Sequence, residues 1–334
     1  MDNKITKARL TNLLAYDWIK ILVLVLAVVL VWSLAFTVGA PRARVGQIFN
    51  VFYYGNFSYT QGPGTINSAA QKAGAYSYDV LDVDSREIFT DYYATIMAAV
   101  DAAHEGDIMI TTDSADKIEK CNSEFRNFID GYGMSVYDYD SLIKDAKNYC
   151  LVNNFVVLQA DGSYALNERA ISDYFANRMQ KDPRFKKIES EKYKKGVLDE
   201  IARIKSVWNN AVILEDCLTN HPEIRYNYAR YTQLVKSDPE SYTDEVYLNS
   251  KELTYGINLG ALTGGPVDVN SEYSKAIIDD KGEMISASAN SIVICVFNYL
   301  PHQPDLQFET LGFVNFMIAR YSNFLNLNAP LVIA

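Results

Sequence analysis

Residues 21–40, ILVLVLAVVLVWSLAFTVGA, carry no charge, and only Ser33 and Thr37 interrupt the apolar run. At 1.5 Å of rise per residue a helix of this length covers about 30 Å, the hydrocarbon thickness of a bilayer. No other stretch of the chain comes close to it. It predicts a single transmembrane anchor, with residues 1–20 as a basic tail on one side and a long polar chain on the other. Lys4, Lys7, Arg9 and Lys20 precede the span, and Arg42 and Arg44 follow it. That excess predicts a cytoplasmic N-terminus and an extracytoplasmic main domain in a cell membrane. A cleavable signal peptide is the competing reading, but its apolar region usually runs about 7 to 15 residues. The one small-residue site, Val38-Gly39-Ala40, is followed by Pro41, and no cysteine precedes Cys121 to take a lipid.

Charge narrows the partners. The formal net charge is −10, yet residues 1–44 hold six basic and two acidic groups, so residues 45–334 carry −14. An acidic domain of this kind repels nucleic acid and anionic headgroups. The four cysteines, Cys121, Cys150, Cys217 and Cys295, are widely spaced with no CxxC. A Cys121–Cys150 disulfide is open to an exported domain, but Cys217 and Cys295 sit in apolar runs and predict lone buried thiols. The 24 tyrosines suit amphipathic surfaces and carbohydrate stacking, and are equally at home in exported proteins without a ligand.

Hydrophobic periodicity gives the order of elements. Residues 44–54 predict a strand that Gly55-Asn56 ends. Residues 58–74, rich in Gly, Pro and Ser, predict a loop, and 75–83 alternate as a second strand. Asp84 and Glu87 fit a capping box for a helix reaching His104, and residues 107–112 form a short apolar strand. Strand, helix and strand make a βαβ unit with parallel strands. Residues 116–240 then predict mostly helix: 118–129, 140–150, 167–180, 186–209, 211–218 and 223–236, with a strand at 151–159. Strands return at 245–248, 254–259 and 291–298, and 306–325 predict a closing amphipathic helix.

Three stretches resemble the bacterial extracellular solute-binding proteins of ABC importers, family 1-like with a type II periplasmic-binding fold. They are QIFNVFYYGN, AAVDAAHEGDIMITTDSA and SIVICVFNYLPHQPDLQFETLGFVNFMIARY. The anchor departs from that family, whose members are more often freed or lipid-tethered, and the middle of the chain shows no match. The resemblance implies an α/β fold in which a two-lobed domain follows the transmembrane helix. Residues 41–115 and 241–334 would form the first lobe, and 116–240 a largely helical second lobe. Ligands of open α/β sheets bind beyond the carboxyl ends of the strands. The implied ligand-binding residues are Tyr53, Tyr54 and Asn56 after the first strand, and Asp113 and Ser114 after the third. Trp208, Tyr226 and Tyr228 would face them from the other lobe. Read singly, each has a plainer role: strand packing for Tyr53 and Tyr54, a cap or turn for Asp113, core for Trp208.

Other constellations predict no chemistry. His104, His221 and His302 have no partner at i+3 or i+4, which leaves a zinc site unsupported. Asp82-x-Asp84 and Asp138-x-Asp140 lack the glycine and closing glutamate of a calcium loop. There is no GxSxG, P-loop or GxGxxG. No cofactor is predicted, and the chain reads as a non-enzyme. The first expectation is an anchored protein that binds a small molecule, with a carbohydrate as the finer expectation, for an ABC-type permease. The alternative is a structural or interaction protein on the same fold without its ligand. An exported hydrolase would need two carboxylates facing each other across a cleft.

Overall fold

A computed structural model of the chain describes residues 7–8, 11, 18–39, 43, 45–55, 57–88, 92–113, 124–179, 182–185, 187, 190–230, 251–278, 284–302 and 306–326. It divides into two compact units, Met1–Arg44 and Val45–Ala334. The first holds helix α1, Trp18–Gly39, which is long and apolar enough to cross a membrane by length and composition. It starts three residues before the apolar run, taking in Lys20.

The second unit is built on a six-stranded sheet. Its strands are β1 (Ile48–Tyr54), β3 (Asp82–Ile88), β4 (Ile108–Thr112), β7 (Arg225–Tyr228), β8 (Leu253–Asn258) and β11 (Ile292–Val296), in spatial order β3-β1-β4-β11-β8-β7. β3 and β4 both run parallel to β1, and β11, β8 and β7 continue antiparallel. β1, β4 and β11 read IFNVFYY, IMITT and IVICV, the near-continuous apolar runs of strands covered on both faces. Phe49, Val51 and Tyr53 join one core, and Phe52 and Tyr54 the other. Each fully buried side chain of this size contributes about 1.5–3 kcal/mol relative to exposure.

Helices α2 (Pro63–Lys72), α4 (Tyr139–Val152), α5 (Glu168–Arg178), α6 (Glu191–Asn220) and α7 (Glu309–Tyr321) supply the first core. Helix α3 (Tyr93–Ala103) and the helical turns of 124–131 cover the opposite face. A three-stranded sheet, β10-β9-β2, joins Met284–Ser288, Tyr273–Ile278 and Ser58–Tyr59, and a hairpin pairs β5 (Val156–Leu158) with β6 (Tyr164–Leu166).

Among the described residues no second lobe separates. Helices α4, α5 and α6, from the stretch predicted as lobe 2, share one core with β1, β4 and α7, because α4 meets the sheet and α6 packs against α4, α5 and α7. Several boundaries differ for local reasons. Asp84 caps no helix: it lies in β3 and pairs with Arg86, because the seven-residue register with β1 outweighs the capping box. The predicted loop at 58–74 contains α2, where Pro63 opens the helix and Ile66 and Ala70 bury one turn apart. Residues 225–228 are strand rather than helix, and 191–220 form one thirty-residue helix capped by Ser190. The 245–248 strand lies outside the described residues.

Candidate functional site

Strand order reverses at β1, with β3 on one side and β4 on the other. At such a switch the connections leave to opposite faces, and a crevice opens beyond the carboxyl ends of the strands. β1 ends on Tyr54 and Gly55, whose φ of 143° and closeness to Thr112 admit only glycine: a Cβ there would lie 2.7 Å from Thr112 Oγ1. β4 ends on Thr112 and Asp113.

Asp113 is 2% exposed. Its backbone N–H donates to Ser291 O at 2.8 Å, and its carbonyl accepts from Lys275 Nζ at 2.8 Å. The Tyr226 hydroxyl donates to Asp113 Oδ2, and Arg126 Nε lies 3.6 Å from Oδ1. Thr112 Oγ1 donates to Glu124 Oε2 at 2.8 Å. Around this acid the rings converge. Phe125 sets its edge to Tyr226 at 4.9 Å and to Tyr228 at 5.2 Å, and the Arg126 guanidinium lies 5.9 Å from the Tyr228 ring centre. The Tyr228 hydroxyl donates to Asp130 Oδ2 at 2.6 Å, and Arg230 Nε stands 3.7 Å from Oδ1. Tyr54 stacks on Tyr93 with centroids 3.5 Å apart, and Tyr132 meets Tyr93 edge-on at 4.8 Å. Burial, then the Glu124 charge, pushes the Tyr54 phenol up to about 12. Tyr226 and Tyr228 are half-buried, and Tyr132 is 39% exposed.

Four of the residues predicted from the sequence, Tyr54, Asp113, Tyr226 and Tyr228, thus share one face of the sheet. Tyr226 and Tyr228 reach it from β7 on the same sheet, not from a second lobe. Tyr53 does not join them. Strand alternation sends it to the other face, 3% exposed, against Tyr59 at 5.7 Å and Phe57 at 6.5 Å. Trp208 belongs to the core on that second face, 3% exposed and 4.7 Å from Tyr164. Asn56 and Ser114 lie outside the described residues. Sequence reasoning missed Arg126, Glu124, Asp130 and Lys275. Glu124 and Arg126 stand two apart in a mixed, largely polar stretch, and only the fold shows that they face the end of β4.

A second polar cluster is enclosed in the opposite core. Arg203, 1% exposed, holds Glu200 through Nε and Nη2, each at 2.9 Å. Arg178 pairs with Asp79 and stands 3.5 Å from Glu200, and Tyr78 donates to Glu200 at 2.8 Å. Glu309, at the start of α7, accepts from Ser77 N at 3.1 Å and lies 3.9 Å from Arg203. Burial pushes Asp79 and Glu309 up. Burial also opposes ionisation of Glu200, but Arg203 and Arg178 more than offset it and hold that carboxyl below its ordinary value. Nearby, Asp107 Oδ2 accepts from Asn50 N at 2.8 Å, and burial pushes its carboxyl up to about 7. These groups tie residues 77–79 to α5, α6 and α7. Cys150, Cys217 and Cys295 are free and buried, and Cys121 lies outside the described residues. Among the described residues no group of three His, Cys, Asp or Glu could hold a metal ion.

No family model matches the chain, and no curated protein matches it significantly. A probable secreted solute-binding lipoprotein of known structure, from Streptomyces coelicolor, is similar over 84% of each chain, with 9% identity and a TM-score of 0.22. At that score the likeness establishes neither fold nor function.

Proposed function

We propose that the chain is a membrane-anchored, extracytoplasmic, non-enzymatic binding protein that takes a small hydroxyl-bearing molecule at the carboxyl edge of β1 and β4. Its anchor is α1, with the N-terminus in the cytoplasm. The observation that carries this reading is the meeting of a buried acid, Asp113, with Tyr226, Tyr228 and Arg126 at the strand-order reversal. A carboxylate held by a tyrosine hydroxyl can exchange that hydroxyl for one of a ligand, and tyrosine faces suit the CH face of a sugar. The importer role follows as the finer form: the anchored domain would pass its ligand to an ABC-type permease in the same membrane. Binding on one compact unit needs only local exchange at the edge, without closure of one lobe on another.

A second reading, an interaction or structural protein, is favoured by a specific observation. Tyr53, Tyr54 and Trp208 are spent on core packing, and Asp113 already has protein partners. A thermal-shift screen of the full chain in detergent separates the two, with mono- and oligosaccharides, amino acids and short peptides as the panel. A ligand at about 100 times its dissociation constant adds roughly 2.7 kcal/mol, a rise of several degrees. A selective rise with one class supports binding. A folded protein indifferent to the whole panel turns the reading to a protein partner.

A further inference from the structure

The six-stranded sheet ends on β3, which pairs with β1 and with no other strand among the described residues. The register shows which backbone groups face outward. Asn50 on β1 turns its N–H and carbonyl to the β4 side, where they meet Asp107 Oδ2 and Asp107 N. Phe49, Val51 and Tyr53 therefore turn theirs to β3. Across the parallel register Phe49↔Val83 they bond to Asp82, Asp84, Arg86 and Ile88, so Val83, Ser85 and Glu87 point their backbone groups away from the sheet. Val83 shows the consequence: its N–H donates to Asp82 Oδ1 at 2.9 Å, a side chain of its own strand in place of a neighbouring strand. Side chains alternate between the faces. Ser85 meets Asn67 of α2 on one face, and Asp84 and Arg86 share the other, with side chains 37% and 51% exposed.

Proline, bulges and charges that repel a copy of themselves keep edge strands single. β3, DVDSREI, has no proline, and its seven pairs with β1 run without a bulge. Its charges are self-complementary. When two copies of β3 run antiparallel with Ser85 facing Ser85, Asp84 of each stands directly opposite Arg86 of the other. The outward groups of Ser85, and of Val83 and Glu87, then face each other as hydrogen-bonded pairs. Asp84 and Arg86 fall at the non-hydrogen-bonded position, where side chains come closest. Other registers lose this match. A slip of one residue sets outward groups against inward ones. A slip of two sets Asp84 against Asp84 or Arg86 against Arg86, like charges in direct opposition.

We infer that β3 is a self-association surface, through which two copies of this chain pair antiparallel about Ser85 into one continuous sheet. The contact is isologous: each copy gives and receives the same pairs, so the assembly closes at a dimer. Asp84 and Arg86 exchange their contact within the strand for two across the interface. A seven-residue strand pair is a small interface, at the low end for specific complexes, and the dimer is a weak one.

The test is sedimentation of the full chain in detergent at about 1 to 100 μM, a range suited to weak association. Asp84→Arg and Arg86→Asp each set like charges opposite one another at both positions. The double variant restores both pairs with the signs exchanged, and so does a one-to-one mixture of the two single variants. Both side chains are exposed, so the substitutions leave the core untouched. The expected result is a reversible monomer–dimer equilibrium, weakened by about tenfold or more in each single variant and recovered in the double variant and the mixture. A chain that stays monomeric over the whole range overturns the proposal. Dimers that survive in both single variants also overturn it and assign association to another surface, α1 or a further face of the domain. Loss of the dimer in the single variants without recovery in the double variant and the mixture overturns the antiparallel pairing about Ser85.

Discussion

The carboxyl edge of β1 and β4 and the enclosed cluster around Arg203 use the same side chains to opposite ends. Each joins aspartate or glutamate to arginine and tyrosine. Around Arg203 the groups belong to four segments of one core, and Asp79, Glu200 and Arg203 have side chains wholly out of solvent. At the edge Asp113 is as deeply buried, but its partners Tyr226 and Arg126 are only half-buried. Residue type therefore does not make a site here; access to the partners does. One cluster is sealed inside the core, and the other, on the function proposed here, offers a hydrogen bond that a ligand would exchange.

The comparison breaks first at Arg203. Arg203→Met leaves Glu200 with Arg178 as its remaining cation and takes Arg203 from the buried Glu309, and removing one partner of a buried pair costs about 3–5 kcal/mol. Urea unfolding of the full chain should show that loss; a change below about 1 kcal/mol would put the network outside the fold's support. The next effect is in pH. Asp107 titrates near 4 when unfolded and about 7 when folded, so the folded state binds its proton more tightly. Its stabilisation is complete below about pH 4 and is lost as pH rises through 7, a fall of up to about 4 kcal/mol. Asp107→Asn keeps an acceptor for Asn50 N and should flatten the stability profile between pH 4 and 7. An unchanged slope would remove Asp107 from this role.

Tyr226→Phe sharpens the comparison from the other side. It takes one donor from Asp113 and should cost about 1–3 kcal/mol, less than Arg203→Met, because half-buried neighbours can repack. The smallest expected effect is at glycine. Gly64→Ala, on open space with ordinary helical backbone, should stabilise by about 0.4–1 kcal/mol, read as a modest rise in melting temperature. Gly55→Ala should destabilise, because its φ of 143° and Thr112 exclude a Cβ.

The parts of the fold legible in the sequence were those where local pattern and tertiary demand agree. The apolar runs of β1, β4 and β11 mark strands buried on both faces, and the 3.6-residue rhythm from Val197 to Trp208 marks α6. Where they disagree, the reading failed. Asp84 and Glu87 imitate a helix cap, yet the parallel register with β1 makes them strand. Arg225–Tyr228 lie beside a long helix but pair with β8. The candidate site was legible to the same degree. Topology alone brings Tyr54 and Asp113 to one edge, whereas alternation decides that Tyr53 leaves it, and an apolar helical face keeps Trp208 in the core. Arg126 and Glu124 act through contacts that only folding creates.

The exchange of hydroxyls at Asp113 is tested most directly by titrating the class selected in the thermal screen into two variants. If a ligand hydroxyl replaces that of Tyr226, Tyr226→Phe removes the competing donor and binds more tightly, while Asp113→Asn binds about tenfold or more weakly. Opposite signs in the two variants are the expected result. Equal weakening in both, or no change in either, would contradict a ligand site at the carboxyl edge.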